Sequence, residues 1–334
     1  MKRISMLIIL GVFFIANITA CDMIRDDTSR NLDAKTNVKI ALDWYPNANH
    51  TGFFIAKNKG YFKDEGLNVT LYTPSDPSTV LQTVGSGSDD FGISYQPDVL
   101  LARAQGVPVV SVLGIVQHPL NSIMTLKKSN IKTPKDLIGK KIGYPGIPTD
   151  EPLLETMLKS TGPYGLNDVD LVNVGFNLSE SLISEKVDAI IGAYWTHESI
   201  LMENKGYPIN IMKVEDWGVP DYYELVLVTN EDKLDNDSYI VEAFIKALSK
   251  GFEDAINDPQ LGIDILIKES NDEIDESIDR LGVDLLVNEW MDSSGHFGVQ
   301  KLDKWQSFSN WMFQKGLLTE NLKVEEAFTN KFIK

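Results

Sequence analysis

Short strand-like runs alternate with helix-like segments twice along this chain, and that order leaves few architectures open. Residues 38–42 form a β-type run, and residues 52–63 have helical spacing with Phe53, Ala56, Gly60 and Tyr61 on one face. Residues 67–72 alternate like a half-buried strand. Residues 78–85 form a short helix opened by Asp76-Pro77, 91–94 a strand, 97–105 a helix stopped by Gly106, and 107–116 a buried strand. A second series repeats the order, with strands at 140–144, 171–174, 189–192, 209–214 and 225–228 and helices at 150–161, 180–185 and 200–204. This predicts two α/β units, each on a mostly parallel sheet covered by helices. The remainder is helical. Val241, Phe244, Ile245, Leu248 and Phe252, and later Leu302, Trp305, Phe308 and Trp311, keep core-facing spacing.

Roughly 300 residues carry these elements, more than one hydrophobic core organises, so two lobes are expected. The chain crosses between them near His118-Pro119-Leu120-Asn121 and again near Tyr222-Tyr223-Glu224. The expected division is 37–119 with 225–334 for lobe 1 and 120–224 for lobe 2. A formal charge of −17 speaks against nucleic acid or an anionic membrane surface as partner.

The first residues have the layout of an export signal. Lys2 and Arg3 precede an apolar run at 6–16, short for a bilayer span, which leads into Ile18-Thr19-Ala20-Cys21. Small residues before a cysteine resemble the lipobox of bacterial lipoproteins. That resemblance implies a signal peptide over 1–20 and a diacylglyceryl group on Cys21, a membrane attachment that two acyl chains make stable. Cys21 is the only cysteine of the chain, so it staples no fold. Residues 21–36 are polar, charged and aperiodic, and are read as a tether.

Motifs of catalysis are missing. There is no P-loop, no His-Glu-x-x-His, no Gly-x-Ser-x-Gly, and Gly85-Ser86-Gly87 follows a helix where a dinucleotide fingerprint would follow a strand. His50, His118, His197 and His296 are scattered without cysteine companions, so neither metal nor cofactor is expected, and binding is favoured over catalysis.

Five loops at strand ends carry aromatic and polar side chains suited to a planar ring. They are Asp43-Trp44-Tyr45-Pro46-Asn47 with His50, Ser94-Tyr95-Gln96-Pro97-Asp98, Tyr144-Pro145-Gly146-Ile147-Pro148-Thr149-Asp150, Tyr194-Trp195-Thr196-His197-Glu198, and Asp221-Tyr222-Tyr223-Glu224. Ligands of α/β sheets sit at the carboxyl ends of strands and between domains. The expected contacts are therefore Asp43, Trp44, Asn47, His50, Tyr95, Tyr144, Gly146, Trp195, Glu198, Tyr222, Tyr223 and Glu224. Trp44 and Trp195 would offer stacking faces from opposite lobes, and Glu198 would accept an exocyclic amine's hydrogens. No arginine cluster stands ready for a phosphate or carboxylate ligand.

These segments, with Lys57-Asn58-Lys59-Gly60-Tyr61-Phe62 and Gly139-Lys140-Lys141-Ile142-Gly143, resemble the thiamine-pyrimidine-precursor binding lipoproteins of ABC importers. The likeness runs from about Val38 to Asn230. It implies a type II periplasmic-binding-protein fold, a formylaminopyrimidine-like ligand held between the lobes, no cofactor, and an ABC permease with its ATPase as partners. Another small ring compound or an aliphatic sulfonate is the alternative. The same family includes a fungal enzyme that makes the thiamine pyrimidine from pyridoxal phosphate and one of its own histidines. By that resemblance its cofactor lysine falls at Ser94, its histidine at Asp98, and its cysteine-rich run at 219–223, where this chain has none. Without the lysine the cofactor has no covalent anchor.

Overall fold

The computed structural model describes residues 36–270, 274–320 and 322–333. The expected signal peptide, Cys21 and all of the tether except Thr36 lie outside them. Ten strands are described: β1 (Thr36–Ala41), β2 (Leu67–Tyr72), β3 (Phe91–Ser94), β4 (Val109–Val116), β5 (Asn121–Leu126), β6 (Lys141–Tyr144), β7 (Asp170–Asn173), β8 (Ala189–Tyr194), β9 (Ile209–Lys213) and β10 (Leu225–Asn230). They form two five-stranded sheets, ordered β2-β1-β3-β10-β4 and β7-β6-β8-β5-β9. The result is a two-lobed α/β architecture with a helical C-terminal extension.

The sheets are mixed rather than mostly parallel. Strands β1, β2 and β3 run parallel, as do β6, β7 and β8, because helices return the chain to the same end each time. The strands delivered from the other sheet run the opposite way. β10 is antiparallel to β3 and β4, and β5 is antiparallel to β8 and β9. No βαβ crossover delivers them, so no parallel pairing is imposed.

β5 is absent from the sequence-based expectation, and its pattern explains why. All six residues of Asn121-Ser122-Ile123-Met124-Thr125-Leu126 are buried, so no alternation marks it. Its polar members are satisfied inside: Ser122 Oγ donates to the Ala193 carbonyl at 2.7 Å, and Thr125 Oγ1 to that of Ile131 at 2.7 Å. The helix expected over 52–63 is two helices, Thr51–Asn58 and Tyr61–Asp64, because Gly60 takes φ 81° between them.

Most of the tail's apolar spacing is core, but Leu302, expected to face it, opens its helix at the surface and is exposed. Helix Ser238–Asn257 lays Phe244 between Phe62 and Phe91, with ring centroids at 4.9 and 4.2 Å. Helix Leu302–Gln314 buries Trp305, Phe308 and Met312. Its Lys304 Nζ donates to the Gln117 carbonyl at 2.6 Å and pairs with Asp221 at 2.7 Å. Those two residues belong to the two connections between the sheets, 117–120 leading out and 214–224 leading back. Among the described residues no helix is long and apolar enough to cross a membrane.

Candidate functional site

A cleft of about 560 Å³ opens where both sheets end, and strand ends supply its walls. From the first sheet come Asp43, Trp44 and Asn47 after β1 and Tyr95 after β3. From the second come Thr149 and Asp150 beyond β6, and Tyr194, His197 and Glu198 at and beyond β8. Tyr222 and Glu224 approach β10, and Asn121 opens β5.

Each polar wall residue is held by a defined set of bonds. The Asn47 amide donates to His50 Nδ1 at 3.1 Å, so the proton sits on Nε2, which donates to Asp43 Oδ1 at 2.9 Å. Asp43 Oδ2 accepts from Tyr95 Oη at 3.4 Å. Glu224 Oε2 accepts from the amides of Leu120 and Asn121 at 2.7 and 2.9 Å and from Tyr222 Oη at 3.1 Å, while Oε1 accepts from Tyr194 Oη at 3.2 Å. Asp150 Oδ1 accepts from Asn121 Nδ2 at 3.0 Å, and Asp150 Oδ2 has no partner although the residue is only 2% exposed.

Burial dominates the electrostatics. It pushes Glu224 up to about 7 against four donors that favour its charge. It also holds Asp150 well above the usual carboxylate range, helped by the neighbouring charges of Asp98 and Glu224. The hydroxyls of Tyr95, Tyr194 and Tyr222 are raised by burial as well and stay protonated donors. At His197 burial alone would lower the pKa, but Glu198 at 2.9 Å outweighs it and carries the ring to about 9. No lysine or arginine lines the cleft, so His197 is its cation, and it is already paired. Among the described residues no His, Cys, Asp and Glu are grouped to hold a metal.

The mouth of the cleft is aromatic. Phe176, on the loop after β7, packs edge-on to Trp44 with centroids 4.4 Å apart and against Tyr45 at 4.6 Å, joining the second sheet's side to the first's.

The cleft brings together Asp43, Trp44, Asn47, Tyr95, Glu198, Tyr222 and Glu224 of the expected contacts. Five others are placed elsewhere, two of them because successive side chains of an extended chain alternate in direction. Tyr222 and Glu224 face the cleft, so Tyr223 between them points away, and its Oη accepts from the Lys301 amide at 2.7 Å. Tyr194 faces in, so Trp195 turns out; its Nε1 donates to the Pro119 carbonyl at 3.2 Å and Lys213 Nζ sits 3.8 Å over its ring. His50 is fully buried behind Asp43 and orients it. Tyr144 is half-buried beside Glu151, and Gly146 turns the chain at φ 91° against Asn173. The expected contacts left out Asn121, and also Thr149, Asp150, Tyr194 and His197, although those four lie in segments the sequence singles out. An acid at the first position of a helix reads as a dipole partner, and Asn121 lies in the strand that has no pattern.

Known proteins agree with this picture at several levels. The formylaminopyrimidine-binding protein of Halalkalibacterium halodurans is 35% identical over 332 residues, 98% of each chain. A 4-amino-5-hydroxymethyl-2-methylpyrimidine phosphate synthase of Saccharomyces cerevisiae is 32% identical over 66% of this chain and 68% of its own. Among solved structures, the alkanesulfonate-binding protein SsuA of Xanthomonas axonopodis pv. citri bound to MOPS superposes with a TM-score of 0.69 at 16% identity, over 89% of this chain and 99% of that one. That likeness establishes the fold as the two-lobed one of type II periplasmic binding proteins. The model of the NMT1/THI5-like family matches residues 47–261, and the chain belongs to that family.

Proposed function

We propose that this protein is the substrate-binding protein of an ABC importer, held outside the cell membrane by a lipid on Cys21. It captures a thiamine pyrimidine precursor, of the formylaminopyrimidine or hydroxymethylpyrimidine type, between lobes formed by 37–119 with 225–334 and by 120–224. The observation that carries this reading is the open oxygen of Asp150. A buried carboxyl with one unmet oxygen, in a cleft walled by Trp44, Tyr95, Tyr194 and Tyr222, suits the amino group and ring nitrogen of an aminopyrimidine. The name of the 35% identical relative points the same way.

Two rivals fit less well. A sulfonate needs free cationic or amide donors, whereas this cleft presents Asp43, Asp150, Glu198 and Glu224, its cation His197 is already paired with Glu198, and the Asn47 and Asn121 amides already donate to Tyr45 and Asp150. A pyridoxal-dependent synthase needs an amine for the cofactor, and the resemblance implies that Ser94 stands in place of the enzyme's lysine.

Titration calorimetry with 4-amino-5-hydroxymethyl-2-methylpyrimidine and with an alkanesulfonate tests the reading. Micromolar or tighter binding of the pyrimidine alone is expected, and preference for the sulfonate overturns it. Incubation with pyridoxal phosphate, iron and oxygen is expected to yield no pyrimidine. Replacing Cys21 by Ala is expected to release the protein from membranes, and unchanged membrane partitioning overturns the anchor.

A further inference from the structure

Behind Tyr95 lies a second recess of about 430 Å³, lined by Ser78, Leu81, Ser94, Asp98, Ala102 and Ile147 among others. Tyr95 and Ile147 also line the main cleft, so the two spaces share a wall. Asp98 is 6% exposed, and neither of its carboxylate oxygens completes a hydrogen bond. Thr149 is close enough to ease its charge, yet burial still pushes Asp98 up to about 7. A buried carboxyl left in this condition is costly, and native proteins keep few of them. Its place in the first turn of helix Gln96–Ala104 does not account for it, because an acid serving the helix end would bond a backbone amide there.

We propose that this recess is a subsite for an N–H-bearing arm of the ring ligand, with Asp98 as the acceptor. The inference rests on the reading that the main cleft holds an aminopyrimidine ring. The ring lies between the lobes, and a substituent on it passes Tyr95 and Ile147 into the recess. An amine, ammonium or amide N–H meets the unpaired carboxyl there, whereas a methyl or an acceptor-only group leaves it unmet. The recess therefore sorts pyrimidines by the donor on their arm, while Asp150 and Glu224 hold the ring common to all of them.

The experiment is titration calorimetry on the full chain with two probes that differ only in the arm, 4-amino-2,5-dimethylpyrimidine and 4-amino-5-aminomethyl-2-methylpyrimidine. The parent is expected to bind the aminomethyl probe at least about tenfold more tightly, the difference that one charge-assisted hydrogen bond makes. Asp98→Leu keeps the side chain's shape and removes its acceptors. It is expected to bring that preference below about threefold, since only the acceptor term is lost, with the dimethyl probe bound as by the parent. Ala102→Leu fills the recess and leaves the carboxyl in place, so it keeps the test open if Asp98→Leu folds poorly, and it too is expected to lose the preference. An undiminished preference in a folded Asp98→Leu protein overturns the subsite. Equal binding of both probes by the parent overturns it also, and leaves the ring reading standing. If neither probe binds the parent, the ring reading fails and the subsite with it.

Discussion

Asn121 Nδ2 donates to Asp150 Oδ1 at 3.0 Å, and this bond leaves the second oxygen of Asp150 open to the cleft. The amide cannot turn over, because Asn121 Oδ1 accepts from the Gly192 amide at 3.0 Å. Gly192 itself has φ 88°, and a Cβ there would sit 2.8 Å from the Pro145 ring and 3.3 Å from Asp150 Oδ2. A glycine thus keeps clear the space in front of the open oxygen.

Replacing Asp150 by Asn is expected to weaken aminopyrimidine binding by about 10- to 100-fold, the range for losing a charged hydrogen bond in a buried site. Glu198→Gln should cost less. Glu198 Oε1 already faces His197 and Oε2 accepts from the Tyr194 amide, so its part is to hold the loop after β8. Calorimetry on both variants decides, and a larger loss at Glu198 would return the ligand's amino group to that residue.

Stability without ligand should fall as pH rises. Asp98 and Glu224 titrate near 7 in the folded protein and His197 near 9, each above its unfolded value, so the folded state holds protons that the unfolded state has released. The stabilisation is complete below about pH 4 for the acids and below about 6.5 for the histidine, and is lost through about 7 and about 9. Carboxylates held low, such as Asp136 by the Lys132 amide, act in the opposite sense only in stronger acid. The midpoint of thermal unfolding is therefore expected to be higher at pH 5 than at pH 8.5. Asp98→Leu combined with Glu224→Gln should flatten that slope, and a midpoint that rises with pH would contradict the assignment.

Phe176→Ala should speed ligand release by about 5- to 150-fold, because two aromatic contacts of roughly 0.5–1.5 kcal/mol each close the mouth. Phe176 is half-buried and outside the cleft wall, so folding should be little affected. Stopped-flow tryptophan fluorescence measures the rate, and an off-rate equal to the parent's would show that the mouth does not limit release.

The order of elements was legible because most strands and helices carry their own local pattern. β5 was not, since a strand buried on every side and pairing only with distant β8 and β9 has no periodicity of its own. Site segments were legible in the same way, as strand-end loops rich in Tyr, Trp and acids. Which residue within a segment faces inward depends on the pleat, and a shift of one position exchanges Tyr194 for Trp195. Which oxygen of Asp150 is free needed the tertiary structure, because only Asn121, from β5, reveals it.

The tail helix has a mechanical consequence. Lys304 clips the outbound connection at Gln117 to the return connection at Asp221, and Glu224 stitches the return strand to the amides of Leu120 and Asn121. The two connections are thereby splinted into a double-stranded strap, fastened on one side by a cation from the tail and on the other by a carboxyl of the cleft. A strap of this kind bends as one piece. The C-terminal extension is then part of the flexure itself, and Lys304→Met would unfasten the strap while leaving Phe308 of the same helix packed against Tyr222 of the cleft wall.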